Sequence, residues 1–210
     1  LTVEARRAGS HVLRLHAVDL DVSAVSDPAG REVTWRNDGQ LLTIRWRDAF
    51  SAQEERQVAV HYAVEAPSSG LYFSQPSDAY PNMPWYAVTD HETERARHWL
   101  PCVDLPNVRT TLDIRLRAEE RFTILANGYL VGEEAHGDGT KSAHWRLEQR
   151  CPSYLICFAA GEFVRADDGE FDDGEKRIPL AYFCSPQHTA GDMLRSFGRT
   201  GAMLAWMTAK

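Results

Sequence analysis

Positive charge is in short supply: 23 Lys and Arg face 30 Asp and Glu, leaving a formal net charge of −7 at pH 7. No basic stripe can be drawn along the chain. That argues against general nucleic-acid binding, which draws its affinity from phosphate counterion release. Long apolar runs are absent too. No stretch approaches the ~20 residues that span a bilayer, so no membrane partner is expected. The chain opens without a secretory leader, and Leu1 is not an initiator methionine, so a trimmed chain is expected. Cysteine is sparse: Cys102, Cys151, Cys157 and Cys184 lie far apart and form no C-x-x-C pair. A disulfide framework or a zinc knuckle is disfavoured, and reduced thiols in a cytoplasmic protein are expected. No internal repeat is evident. What remains is ordinary globular composition, 43% hydrophobic and 25% charged over 210 residues. That leaves room for one large domain or two small ones.

Most of the chain alternates with period two, the mark of half-buried strands. Residues 10–22 (SHVLRLHAVDLDV) do so, but the apolar parity slips near His16-Ala17. A one-residue slip turns side chains to the other face, so a bulge or break is expected there. Asp27-Pro28-Ala29-Gly30 and Asn37-Asp38-Gly39 read as turns, the second leading into a strand over 41–46. Residues 56–64 predict one strand, with Val58, Val60, Tyr62 and Val64 inward and His61 on the wetter face. Further strands are expected over 111–116, 122–126 and 178–183. Ala143, Trp145 and Leu147 share a strand face. Asn127-Gly128 is a hairpin signal. The apolar run 154–160 (YLICFAA) predicts a strand buried on both faces. The acidic run 167–175 reads as a solvated loop whose spacing lacks the EF-hand pattern. The aromatics around 72–86, set among prolines, are expected to be packed core rather than cleft lining.

From Gln187 the period becomes helical, through Met193, Leu194, Phe197, Met203, Leu204 and Trp206, with Gly198 and Gly201 as interruptions. A lone helix after so many strands has little to pack against in the same β domain. It reads as the opening of a second domain.

Acids, bases and large aromatics crowd together only in 85–106, WYAVTDHETERARHWLPCVDLP. His91-Glu92-Thr93-Glu94-Arg95 misses the H-E-x-x-H zinc motif by one residue. Arg95 stays protonated and cannot ligate a metal. His91 and His98 on a helix would lie about 10 Å apart along its axis, too far to share one ion. No zinc site is expected here. Arg97 and Asp104 suit a structural ion pair that fixes a loop. Cys102 suits a small buried apolar residue. No Ser or Cys nucleophile with a placed base can be argued.

A resemblance adds to this. Leu15-His16-Ala17, Gly70-Leu71-Tyr72, the stretch from Thr89 to Pro106, Ala126-Asn127-Gly128, Ser153-Tyr154-Leu155 and Gly161-Glu162-Phe163 follow one another in an order seen in the M1 family of zinc aminopeptidases. Ala96-Arg97 and Leu100-Pro101-Cys102-x-Asp104-x-Pro106 resemble that family's A-R…F-P-C-F-D-E-P run. The resemblance implies an all-β fold, mainly antiparallel and saddle- or sandwich-like, over 1–184. Residues 185–210 would then be the first helix of a truncated catalytic domain. It further implies that Glu92, and Asp90 where the family usually has Gln, hold the free α-amine of a peptide substrate. A carboxylate is the natural partner of an ammonium with three donors. The parent would be a Zn²⁺-dependent aminopeptidase with its metal ligands outside this chain. The fragment alone would bind no zinc and hydrolyse nothing. Its partners would be the peptide N-terminus and the missing catalytic domain. One alternative is a non-catalytic M1-like scaffold for protein interaction. Another is an unrelated β-sandwich binding module, which would be favoured by a closed sandwich with Glu92 buried and paired.

Overall fold

The structure is a computed structural model that describes residues 1–209; Lys210, the last residue of the expected second-domain helix, lies outside them. Seven strands come first: β1 (Thr2–Glu4), β2 (Val12–His16), β3 (Asp21–Ser26), β4 (Val33–Asn37), β5 (Leu41–Trp46), β6 (Glu55–Gln57) and β7 (Ala59–Ala63). They pair antiparallel as β2-β5-β4, β3-β7 and β1-β6. On β5 the period-two pattern buries Leu42, Ile44 and Trp46, which join Leu15, Phe50 and Val58 in the main core. The parity slip at His16-Ala17 is a break: β2 ends at His16, Asp19 takes φ 55°, and the chain re-enters a different sheet as β3. The single strand expected over 56–64 is also broken. It divides at the buried Val58, so that β6 joins β1 while β7 joins β3.

The second group holds β8 (Leu71–Ser74), β9 (Tyr86–Thr89), β10 (Arg109–Glu119), β11 (Thr123–Ala126), β12 (Tyr129–Ala135), β13 (Thr140–Pro152) and β14 (Phe158–Gly161). Two open antiparallel sheets result, β11-β14-β9-β8 and β10-β13-β12. Asn127-Gly128 is therefore no hairpin. It passes the chain from one sheet to the other. The Asn127 side chain donates to Leu155 O at 2.9 Å and accepts from Cys157 N–H at 2.6 Å, so it ties the segment ahead of β14. Gly128 sits at φ 89°, where an added Cβ would come within 1.9 Å of Arg146 O. The apolar run 154–160 is not one buried strand either. Ser153–Leu155 is a 3-10 turn, Leu155 is 50% exposed, and only Phe158 onward is strand. The aromatic loop between β8 and β9 is not packed core: Tyr80 is 67% exposed and Trp85 40%.

The last strands, β15 (Val164–Asp172) and β16 (Arg177–Cys184), form a hairpin. The acidic run expected as a loop is mostly strand, with its turn only around 173–176. Arg165 pairs with Asp167, and Arg177 with Glu170 and Asp172, which offsets the like charges along the hairpin. The helical segment is two helices, α1 (Ala190–Phe197) and α2 (Thr200–Thr208), divided at Gly198. Thr189 and Asp192 make a reciprocal capping box at the start of α1. This helix does find a partner in the β structure: it lies against β15 and β16, and its Met193 is buried.

Candidate functional site

Strand β9 lies inside its sheet, between β8 and β14, and ends at Thr89. The Thr89 hydroxyl accepts from Phe158 N–H at 2.9 Å, which fixes the exit of the strand. Asp90 N–H then donates to Gly70 O at 3.1 Å, and the chain turns away through 91–95. Gly70 is required at this corner. It has φ 80°, and a Cβ on it would meet Arg95 O at 2.1 Å. The turn closes with Arg95 N–H donating to His91 O at 2.9 Å, and Ala96–His98 continue as a 3-10 helix.

Two buried polar groups hold this loop. His91, 2% exposed, is clasped at both ring nitrogens. The Trp99 indole N–H can only donate, so His91 Nε2 accepts it, at 2.6 Å. The ring proton then sits on Nδ1 and donates to Ser153 O at 3.3 Å. Neither nitrogen is left for a metal. Burial lowers the His91 pKa from its ordinary 6.5. A second proton would also set Nε2–H against the indole N–H. The folded state therefore favours neutral imidazole. Its contribution to stability is full above pH 6.5, the ordinary value, and is lost as pH falls through the lowered folded-state value. Thermal melts of the chain are expected to show Tm falling below about pH 6.5. In His91→Gln that part of the slope should vanish. An identical slope in the variant would remove His91 from the account.

Asp104, 1% exposed, is the other anchor. It accepts from Arg97 Nε at 3.0 Å and from the Ser153 hydroxyl at 2.6 Å, and its carbonyl takes Arg97 Nη2 at 3.1 Å. Its own N–H donates to His16 Nδ1 at 3.0 Å. His16 and Cys102 also exchange backbone hydrogen bonds, His16 N–H to Cys102 O at 2.7 Å and Cys102 N–H to His16 O at 3.1 Å. Burial pushes the Cys102 thiol up to about 12, so it stays an inert thiol. The loop is thus bolted to the first sheets through His16 and to the segment before β14 through Ser153.

On this mount stand the exposed acids. Asp90 is held by Arg95 Nη1 at 2.9 Å, and Glu94 by Arg97 Nη2 at 2.9 Å. Glu92 is exposed and makes no hydrogen bond or ion pair with any described residue. The roles of His16, Ser153 and Arg95 escape a reading of the sequence. Ser153 lies 49 residues from Asp104 and His16 lies 88. In the sequence Arg95 stands out only as the residue that spoils a zinc motif. Among the described residues no group of three or more His, Cys, Asp or Glu could hold a metal ion. The residues present do not fit a zinc centre.

An open, mainly antiparallel β domain of this kind is found in known proteins. The Peptidase M1 N-terminal domain model matches residues 1–155, and the chain belongs to the M1 peptidase family through this N-terminal domain. It is 28% identical over 166 residues to a puromycin-sensitive aminopeptidase of Caenorhabditis elegans, covering 74% of this chain and 17% of that protein. It is 31% identical over 106 residues to glutamyl aminopeptidase of Bos taurus, covering 50% and 11%. An M1 zinc metallopeptidase from Deinococcus radiodurans superimposes with a TM-score of 0.71 at 19% identity, over 93% of this chain and 46% of that one. A related variant crystallised with L-arginine gives a TM-score of 0.75 at 20% identity. The chain spans only a small part of its curated relatives. The sheets are open, and Glu92 is not buried and has no ion pair among the described residues, so the features that would favour an unrelated closed β-sandwich are not seen there.

Proposed function

We propose that this chain is the substrate-anchoring N-terminal domain of a zinc-dependent aminopeptidase that removes N-terminal residues from peptides. The observation that carries the reading is Glu92, among the described residues the one acid of the loop left exposed and unpaired, on a mount fixed at His91 and Asp104. A fixed carboxylate can receive the α-ammonium of a peptide and set the distance from that amine to the first peptide bond. Asp90 is the second candidate for the amine, in competition with the Arg95 guanidinium it already holds. Arg97, Asp104 and Cys102 keep structural roles. Residues 1–184 form the β domain, and 185–210 open the catalytic domain, which would carry the metal ligands. Four free cysteines suit a cytoplasmic setting.

A chromogenic aminoacyl amide tests the reading. The full-length protein is expected to hydrolyse it and to lose the N-acetylated analogue, whose amine carries no charge. The 210-residue chain with added Zn²⁺ is expected to do neither. Turnover by the isolated chain at an enzyme-like rate, or none by the full-length protein, would sink it.

A further inference from the structure

A cleft of about 520 Å³ lies between β1 and β6 of the first group and the start of β10 and end of β13 in the second. That is the size of a small-molecule site. Its lining includes Cys102 and Ser153, so it backs onto the mount of the 90–104 loop. The two walls carry opposite charge. On the first, the pairing of β1 with β6 sets Glu4 directly opposite Glu55. On the second, Arg109 stands opposite Pro152, two residues along from Arg150. A bulge delivers Arg150, since residues 148–150 of β13 face Thr111 alone. All four charged residues line the cleft, and all four are exposed. Among the described residues none of them makes an ion pair or a side-chain hydrogen bond, whereas nearby Glu54 is taken by Arg56 and Arg146 by Asp113. Neighbouring like charges are unfavourable, and each wall keeps such a pair without a counter-ion. Arg6, two residues past Glu4, also lines the cleft with no ion pair to a described residue and adds a third guanidinium. A simple anion would answer the arginines and meet the two glutamates. A simple cation would do the reverse. A ligand charged oppositely at its two ends answers both walls.

We propose that this cleft is a binding site for short peptides, two or three residues long, with both termini free. The α-carboxylate is received by Arg109 and Arg150, whose forked guanidinium groups match a carboxylate. The α-ammonium, with three donors, is received by Glu4 and Glu55. The site stands whether or not Glu92 anchors a substrate amine.

Calorimetric titration of the full-length protein with tri-D-alanine, whose inverted centres resist peptidases, tests the proposal. Saturable binding is expected. Arg109→Gln, Arg150→Gln, Glu4→Gln and Glu55→Gln should each raise Kd about 3- to 5-fold, the scale of partly exposed charge contacts. The Tm of each unliganded variant should match wild type, because none of the four side chains is paired with a described residue. On the wild-type protein, acetylating the amine of the probe or amidating its carboxylate should each raise Kd about 10-fold, since each removes the contacts of one wall. No binding, or a Kd that none of the four variants changes, overturns the inference; if Glu92→Gln alone abolishes binding, the peptide sits at the loop instead. An acetylated probe that binds as tightly as the free one, and is weakened only by the arginine variants, would make the cleft an anion site and overturn the peptide assignment.

Discussion

Asp104→Ala is expected to destabilise the chain by about 3 kcal/mol, the low end of the cost of breaking a buried ion pair. The low end applies because the Arg97 side chain keeps 19% of its surface exposed. Asp104 answers Arg97 Nε, the Ser153 hydroxyl and the backbone N–H of Arg97 at once, and the alanine variant leaves these three donors without that carboxylate while Arg97 Nη2 keeps Glu94. Donors left unsatisfied in a buried position cost more than their hydrogen bonds contributed. Urea unfolding should show a lower midpoint. Ser153→Ala, which removes only a neutral partner, should cost about 1 kcal/mol. A loss below ~1 kcal/mol for Asp104→Ala would mean that the loop is held elsewhere.

Glu92→Gln in the full-length protein is expected to lower kcat/KM by about 2–4 kcal/mol, roughly 30- to 1,000-fold. Glutamine keeps the length of the side chain and one carbonyl acceptor but loses the charge. The size of the effect carries its own information. A pair left open to water is worth ~1 kcal/mol or less. A larger loss therefore requires that the bound amine and Glu92 be shut away from solvent in the complete enzyme. The fold of the chain itself should be untouched, since Glu92 is exposed and makes no hydrogen bond or ion pair with a described residue, so Tm should match wild type.

The fold was legible where pattern and partner agree locally. The strand expected over 41–46 is there and buries Leu42, Ile44 and Trp46, and the parity slip at His16-Ala17 marks a change of sheet. Legibility failed where distant groups decide. Asn127-Gly128 has hairpin chemistry, yet bonds to Leu155 and Cys157 carry the chain to another sheet. The run 154–160 is apolar enough for a buried strand, but Ser153 is committed to Asp104 and holds its start in a turn. Exposed aromatics such as Tyr80 look like core in composition because hydrophobicity cannot report what lies opposite. The site followed the same rule. The acids of 90–104 were visible as residues. Which of them are neutralised depends on arginine geometry, and only that geometry leaves Glu92 alone.

The central claim is that Glu92 recognises a positively charged α-amine. Inhibition constants of an amino-acid amide and of its analogue with hydrogen in place of the amine, on the full-length protein and on its E92Q variant, form a cycle that isolates that one contact. The account predicts that the wild type favours the amine at least about 30-fold and that E92Q loses most of this preference. An equal preference in both proteins would contradict it.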